Sequence, residues 1–497
     1  MPLHLPEIRV AGIAPELALS IAAIIILLIA AVAGKRLPTW SLPVMSSIGI
    51  VLSGAFAVAT WHTSQAHTQL QLGNMVAVDG FSIFVKVALC AFGLLTVWLA
   101  RDYLSHQGLE EAEFYALVLF AVAGMMLMAS AADLILIFIA LETFSLALYV
   151  LVGFRRSSVR SQEAAMKYFL LGSFSSAFFL LGIALTFGAV GSTNLYGAPS
   201  HPGIVTFLQS APASGLGLLV LGMGFLVIGL GFKVAAVPFH MWTPDAYQGA
   251  PSPVTGFMAA GSKIAGFAAL LRLLDVVLFP LRWDWRPLVI GVAIVTMVVG
   301  AVIAVVQEDV KRMLAYSAIA HAGFVLTGIV AANDRGISGA LFYLATYGIT
   351  VLGAFAVVSI LAGNDERRVS LVDYKGLFYE RPVLASALML FLLSLAGVPP
   401  TVGFVGKLVV FGAAVEAGYW WLAIAGVVSS MIAAFFYLRV LVVMYMQEAD
   451  ESQISWGGGS LSHAVIGLAA IATVGLGLAW GPLIHVAEKA TMFFSAG

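Results

Sequence analysis

Long runs of apolar residues, each close to the thickness of a bilayer, follow one another along this chain with short polar joints between them. A helix needs about 20 mostly apolar residues to cross the hydrocarbon core. Fourteen runs meet that length, starting near Pro15, Pro43, Asp79, Glu113, Ala132, Ser161, Ser214, Ser252, Pro287, Arg312, Gly336, Pro382, Ala417 and Ser462. The pattern predicts an all-α integral membrane protein of about fourteen transmembrane helices. The first run, Ala14 to Ala33, ends in Ala31-Val32-Ala33-Gly34, which mimics a signal-peptide cleavage site. It is too long for one, lacks a basic stretch before it and is followed by Lys35-Arg36, so it reads as a first transmembrane helix.

Composition sharpens this picture. Charged residues are 10% of the 497 and apolar residues 61%, which excludes a soluble domain of this length because its surface alone would need more charge. A net charge of −1 gives no sign of nucleic acid as a partner. The single cysteine, Cys90, cannot form a disulfide framework, and alone it cannot hold an iron–sulfur cluster or a structural zinc. There is no phosphate-cradling glycine loop of the Walker type. The fifty glycines scatter through apolar runs, where they favour close helix packing. No metal-ligating or cofactor-binding residues are expected, and no redox chemistry in this chain itself.

Basic residues test the count of spans independently. With fourteen spans, one set of loops carries twelve of them between Lys35 and Arg381, and the other set with both termini carries only Arg9, Arg282, Arg286, Arg335 and Lys489. The positive-inside rule then puts the first set in the cytoplasm and both termini on the outer, periplasmic side.

A repeat is also visible. Tyr168-Phe169-Leu170 aligns with Phe342-Tyr343-Leu344 and Lys233 aligns with Lys407, both at an offset of 174 residues. Tyr149-Val150-Leu151 matches Phe324-Val325-Leu326 at nearly that spacing. Five spans separate the copies, so the second enters the membrane from the opposite side, which defines two inverted five-helix repeats of the transporter kind. The expected organisation is 1–112 as N-terminal helices, 113–275 as the first repeat, 286–446 as the second and 447–497 as a C-terminal loop and last helix. Helices 7 and 12 carry breakers: Pro238 follows Lys233, and Pro399-Pro400 precede Lys407. Proline removes a backbone donor and frees the carbonyl four residues back. Freed backbone groups at membrane depth are tolerated where protein or water satisfies them, so paired breaks beside paired lysines point to hydrated ion sites near mid-membrane.

Charges at that depth are the candidate chemistry. One costs roughly 2.5–3.5 kcal/mol on insertion scales. Lys233 and Lys407 read as proton-carrying groups; the alternative is a structural lysine pairing with carbonyls freed at the break. Lys263 sits near the middle of its span, too deep to snorkel. Glu142, about ten residues into its own span, either tunes Lys233 or bonds a hydroxyl on a neighbouring helix. His321 is a candidate helper whose intrinsic pKa suits a relay, or simply a packed histidine. Lys86, Lys167 and Arg439 lie near helix ends, where snorkelling is the default. Asp79, Asp133, Glu308 and Asp309 read as helix-end or loop charges, and His240, Trp242 and Asp245 as residues shaping the Pro-rich segment after span 7.

The run from Gly231 to Pro253 (GFKVAAVPFHMWTPDAYQGAPSP) and Gly261-Ser-Lys263-Ile-Ala-Gly266 closely resemble the subunit N family of bacterial NADH-quinone oxidoreductase, respiratory complex I. Glu163–Gly172, Asp309–Ser317 and Gly397–Lys407 extend the likeness over nearly the whole chain. The resemblance implies an antiporter-like fold and a proton-pumping module of a membrane arm. Matched residue by residue, it makes Glu142 and Lys233 the first-half pair, Lys263 the central connection and Lys407 the second-half lysine. Sister subunits L and M usually carry histidine at the central position, so Lys263 argues for N. The resemblance places flavin, iron–sulfur clusters and quinone in other subunits, and makes other membrane-arm subunits, antiporter-like neighbours among them, the partners alongside the bilayer. It implies a bacterial inner-membrane location. The rivals are a subunit of a multisubunit cation/proton antiporter, a subunit of a hydrogenase- or plastoquinone-linked complex, and a non-transporting scaffold.

Overall fold

The computed structural model describes residues 10–34, 38–61, 64, 69–109, 111–198, 201–210, 216–363, 366–448, 458–490 and 492. Arg9, Lys35 and Arg36 of the charge asymmetry, and Ser214 at the expected start of span 7, lie outside the described residues.

The apolar runs become helices. In chain order these are α1 (Ala14–Ala33), α2 (Ser41–Ala59), α3 (Gly80–Gln107), α4 (Ala112–Ser130), α5 (Leu134–Val152), α6 (Val159–Val190), α7 (Gly217–Val234), α8 (Trp242–Gly249), α9 (Ser252–Val277), α10 (Arg282–Val305), α11 (Val310–Ala331), α12 (Asp334–Leu361), α13 (Pro382–Ala396), α14 (Val402–Glu416), α15 (Trp420–Met446), α16 (Ser460–Leu478) and α17 (Gly481–Lys489). Among the described residues, thirteen helices are long and apolar enough to cross a membrane. The run starting at Pro382 is different. It forms α13 and α14, 15 residues each, separated by 397–401.

Local chemistry sets many ends. Asp79, Asp133, Asp309 and Asn333 each accept a backbone N–H of the first turn of α3, α5, α11 and α12, replacing one bond the helix cannot make itself. The Pro-rich segment read as a loop contains α8, a short helix of eight residues. Two small antiparallel hairpins, one pairing Gln69–Gln71 with Val76–Val78, also lie outside the all-helical pattern.

Burial sorts the helices into a centre and a rim. The most apolar window of α9 is 100% buried and those of α11 and α12 are 94% buried, against 22% for the first helix and 28% for α16. Rim helices can expose apolar faces because lipid is as apolar as leucine. The three central helices hold Lys263, His321 and Tyr343, so the deepest polar groups share one core.

Several charges sit differently from the sequence reading. Lys86 does not snorkel: it is 2% exposed and pairs with Glu16 of α1 at 2.7 Å, because α1 and α4 leave it no route to water. Asp79 does more than end a helix. Its carboxylate also takes Arg272 of α9 at 2.8 and 3.1 Å, tying α3 to the central helix. Arg439 turns inward and donates to the carbonyls of Val305 and Gln307, capping α10. Lys167 keeps an exposed ammonium, paired with Glu163 and Asp245. Glu366, in the segment between α12 and α13, is buried with Lys311 at 2.7 Å and Arg155 at 3.9 Å.

Candidate functional site

Lys233 is the next-to-last residue of α7, which ends because Ala235 takes a left-handed conformation, with φ of 63°. Its ammonium is buried and has no hydrogen-bond partner among the described residues. Three rings surround it instead: Phe144 at 4.9 Å, Tyr168 at 5.4 Å and Tyr149 at 5.6 Å from the ring centres. Aromatic faces attract a cation by about 2 kcal/mol or more when desolvated, so the pocket tolerates the charge without satisfying its donors. Tyr168 stacks on Trp242 of α8 at 4.4 Å, and the Trp242 indole donates to the carbonyl of Phe232. The residues after the break thus close the pocket, the shaping role expected of Trp242. Asp245 pins the same short helix through Lys167 and Arg312. Partial burial pushes its carboxyl up, but those two cations outweigh this and hold it below the ordinary range.

Glu142 does not pair with Lys233. It is half-buried and accepts a hydrogen bond from Ser176 of α6, the neighbouring-hydroxyl arrangement weighed for it. It lies on α5 two residues from Phe144, and its charge still acts on Lys233 without contact. Its carboxylate is taken by Ser176 of α6, while Phe144 and Tyr149 of the same helix reach Lys233.

The remaining candidates converge. Lys263 follows a π-helical turn at Met258–Ser262 and donates to the carbonyl of Ala318 on α11. Ala318 is three residues, one turn, before His321. His321 is bonded through Nδ1 to the Tyr343 hydroxyl at 2.6 Å and through Nε2 to the Tyr437 hydroxyl at 3.3 Å. Tyr437 in turn bonds Ser317. A cavity of about 10 Å³ adjoins His321, Tyr343, Ser394 and Leu395, roughly the room one water requires. Leu395 lines it too, and its carbonyl accepts from Lys407 at 3.0 Å. Lys407 also donates to Ala396 at 2.7 Å and to Ser430 at 2.6 Å.

Leu395 and Ala396 lie four residues before Pro399 and Pro400, so Lys407 holds the carbonyls that those prolines leave without donors. The structural alternative for Lys407 is therefore present in the geometry. Lys407 also lines an open, mostly apolar groove of about 910 Å³ that reaches the Arg335–Glu416 ion pair at the end of α14.

The 174-residue offset aligns the two lysines but not the breaks. Lys233 precedes its break by a residue, whereas Lys407 lies on the half-helix after Pro399-Pro400. Lys263, His321 and Lys407 form one polar line. Lys233 touches it only through packing: the position of Gly266 on α9 faces the Lys233 Cβ, where an added Cβ would lie 3.4 Å away.

The sequence reading had no role for Tyr149, Tyr168, Tyr343, Tyr437 or Ser430. The tyrosines at 149, 168 and 343 were visible as repeat markers, but which ring faces a lysine depends on helix rotation. Gly397 is a sharper case. Its φ of +90° is a region side chains rarely adopt, and an added Cβ would lie 3.1 Å from Lys407 Nζ. Gly397→Ala is expected to destabilise by about 1–3 kcal/mol and to displace the ammonium. Melting temperature checks it; an unchanged value would show that the Lys407 geometry is not constrained there.

Residues 131–433 match the family described as NADH:quinone oxidoreductase/Mrp antiporter, transmembrane. The chain is 44% identical to NADH-quinone oxidoreductase subunit N of Trichlorobacter lovleyi, with 89% of each chain covered. It is 42% identical to that of Parafrankia sp., over 98% of this chain and 95% of the relative. Among solved structures it is similar to a chain of respiratory complex I from Thermus thermophilus with bound aureothin, at 35% identity and a TM-score of 0.80, covering 96% of this chain and 100% of that one. A chain of the Mrp complex from Dietzia sp. shares the fold at 22% identity and a TM-score of 0.83, with 97% of both covered.

Proposed function

We propose a proton-relay role for this chain on one premise: it belongs to the subunit N family of NADH-quinone oxidoreductase. The chain is a multi-pass subunit of the membrane arm of that complex. In our reading, protons move along Lys263, His321 and Lys407, with Lys233 as the first-half carrier and Glu142 acting on it from a distance. The observation that carries this is the polar line from Lys263 to Lys407 through an otherwise apolar core. The groups along it are ionisable or hydroxyl groups, backbone carbonyls and a space for water, which is what proton transfer needs; the step from the Ala318 carbonyl to His321 spans one turn of α11 without a hydrogen bond. Moving one charge against 100 mV costs roughly 2.3 kcal/mol. Quinone reduction elsewhere in the complex must therefore bias the lysine protonation states.

The supporting assignments follow from the same reading. Flavin, iron–sulfur clusters and quinone belong to other subunits, in keeping with a single cysteine here. The partners are other membrane-arm subunits, including antiporter-like neighbours. Residues 113–275 and 286–446 are the two inverted repeats. The location is the bacterial cytoplasmic membrane, with both termini on the outer side, supported by the asymmetry of basic residues.

Purification through a tag on this chain from solubilised membranes tests the assembly. Peripheral iron–sulfur subunits and NADH-oxidising activity are expected to co-elute. Recovery of membrane subunits alone, without NADH oxidation, would favour the antiporter reading.

A further inference from the structure

The helix that carries Lys263 ends in a second charged turn that the relay does not use. Arg272–Val277 of α9 is a π-helical turn, and such turns recur at functional sites. Two charged side chains leave it. Arg272, although its Nε has no acceptor among the described residues, is engaged through both terminal nitrogens, with Asp79, the Tyr196 hydroxyl at 2.9 Å and the Ala129 carbonyl at 3.1 Å. Asp275 is not. It is 6% exposed, and neither carboxyl oxygen has a hydrogen-bond partner among the described residues.

A complementary mismatch lies beside it. Arg286 lies one turn into α10, which packs against this turn, and its charge acts on Asp275. Its guanidinium donates instead to the Tyr419 hydroxyl at 3.1 Å and lies over the rings of Tyr419, Trp285 and Trp283, while its Nε is buried with no acceptor. A carboxyl without a donor and a guanidinium with a spare donor thus share one corner without pairing. From the elements packed here, Arg286 is the charged group acting on Asp275 among the described residues; Arg272, on its own helix, is held by Asp79.

A buried carboxylate without hydrogen bonds or a paired cation is strongly unfavourable, and such a group resolves the conflict by holding a proton. A guanidinium that moves onto it makes the ionised form favourable instead. We propose that Asp275 is a further proton-carrying residue of this chain, holding a proton while Arg286 rests on Tyr419 and releasing it when Arg286 pairs with the carboxylate. In that step the carboxyl O–H bond breaks, the electron pair stays on oxygen and the proton passes to water at the membrane face where α10 begins. Arg286 compensates the charge, and no oxidant or reductant is involved. The same face holds Tyr419 and, three residues earlier, Glu416, which lines the open groove that Lys407 also lines. Asp275 is twelve residues from Lys263, about 18 Å at 1.5 Å per residue, so it serves release rather than direct exchange with that lysine. This rests on the relay reading above.

The test uses the intact complex in native membranes. Infrared difference spectra across pH are expected to show a protonated-carboxyl band that is absent in Asp275→Asn and shifted in Asp275→Glu. Asp275→Asn is expected to assemble normally and lose proton uptake per NADH several-fold, with the glutamate variant recovering much of it. Should the asparagine variant fail to assemble, the shifted band and uptake of the glutamate variant decide. Identical carboxyl bands in wild type and variants overturn the proposal, as does an unchanged uptake-against-pH profile. Lys407→Ala separates the two readings. Loss of uptake there, with normal uptake in Asp275→Asn, rejects Asp275 and leaves the relay. A band lost in Asp275→Asn while Lys407→Ala pumps normally rejects the relay and keeps Asp275.

Discussion

Replacing Lys233 with alanine is expected to lower NADH-driven proton translocation at least about tenfold while leaving the complex assembled. A charge at this depth without an ionisable host costs roughly 2.5–3.5 kcal/mol, and each 1.4 kcal/mol on a barrier is about a factor of ten. Water reaching the enlarged pocket recovers part of that, hence the lower bound. Assembly should survive because the Lys233 ammonium makes no hydrogen bond that another group depends on. What is lost is contact with Phe144, Tyr149 and Tyr168. Lys233→Arg sharpens the test. It keeps a cation over the rings, but an arginine does not give up its proton in proteins, so translocation should fall as it does for alanine. Proton uptake by inverted vesicles after NADH addition, with native-gel assembly as control, measures both. Normal uptake in an assembled alanine variant would remove Lys233 from the relay. Full activity of the arginine variant would reduce it to a structural cation.

Glu366→Gln is expected to destabilise the protein by about 3–5 kcal/mol, the usual effect of stripping one partner from a buried ion pair. Glu366 accepts from Lys311 at 2.7 Å and from the backbone N–H of Ser252 at 2.6 Å, with Arg155 at 3.9 Å. Lys311 also donates to Ala250. One carboxylate therefore clasps the start of the Lys263 helix, the start of the His321 helix and the turn after α5. Burial pushes its carboxyl up. The charge and hydrogen bond of Lys311, the charge of Arg155 and the Ser252 N–H outweigh this and hold it below the ordinary glutamate value. A depressed carboxyl stabilises the fold above its unfolded pKa and loses that contribution as pH falls through the lower folded value. The wild-type clasp should therefore persist from neutral pH to below the ordinary carboxylate range, whereas the glutamine variant should be weak throughout. The double variant Glu366→Gln with Lys311→Met removes the stranded cation and should recover part of the loss. Thermal unfolding in detergent against pH measures all three. A glutamine variant as stable as wild type at neutral pH would show that the cluster contributes nothing to folding.

Much of the candidate core was legible along the chain because depth in a membrane is a one-dimensional property. Lys233, Lys263 and Lys407 stood out as charges inside apolar runs, and the prolines near two of them marked breaks that the structure contains. Even the carbonyls that Lys407 holds follow from counting four residues back from Pro399 and Pro400. Partnership was not legible, because it depends on how helices rotate and which neighbours they meet. Lys86 had the spacing of a snorkelling residue until Glu16 of another helix closed over it. Glu142 had the depth of a lysine partner, yet its face of α5 turns toward Ser176. Glu366 had no mark as a loop acid, since its two cations lie 55 and more than 200 residues away.

By itself, then, the sequence determined that this chain crosses a membrane many times, which charges lie at depth and where the helices break. All of these follow from local hydropathy and backbone chemistry. Only the tertiary structure decided that Lys263, His321 and Lys407 share one polar line while Lys233 sits apart among rings, because side-chain contact requires the relative rotation of helices that no single run encodes.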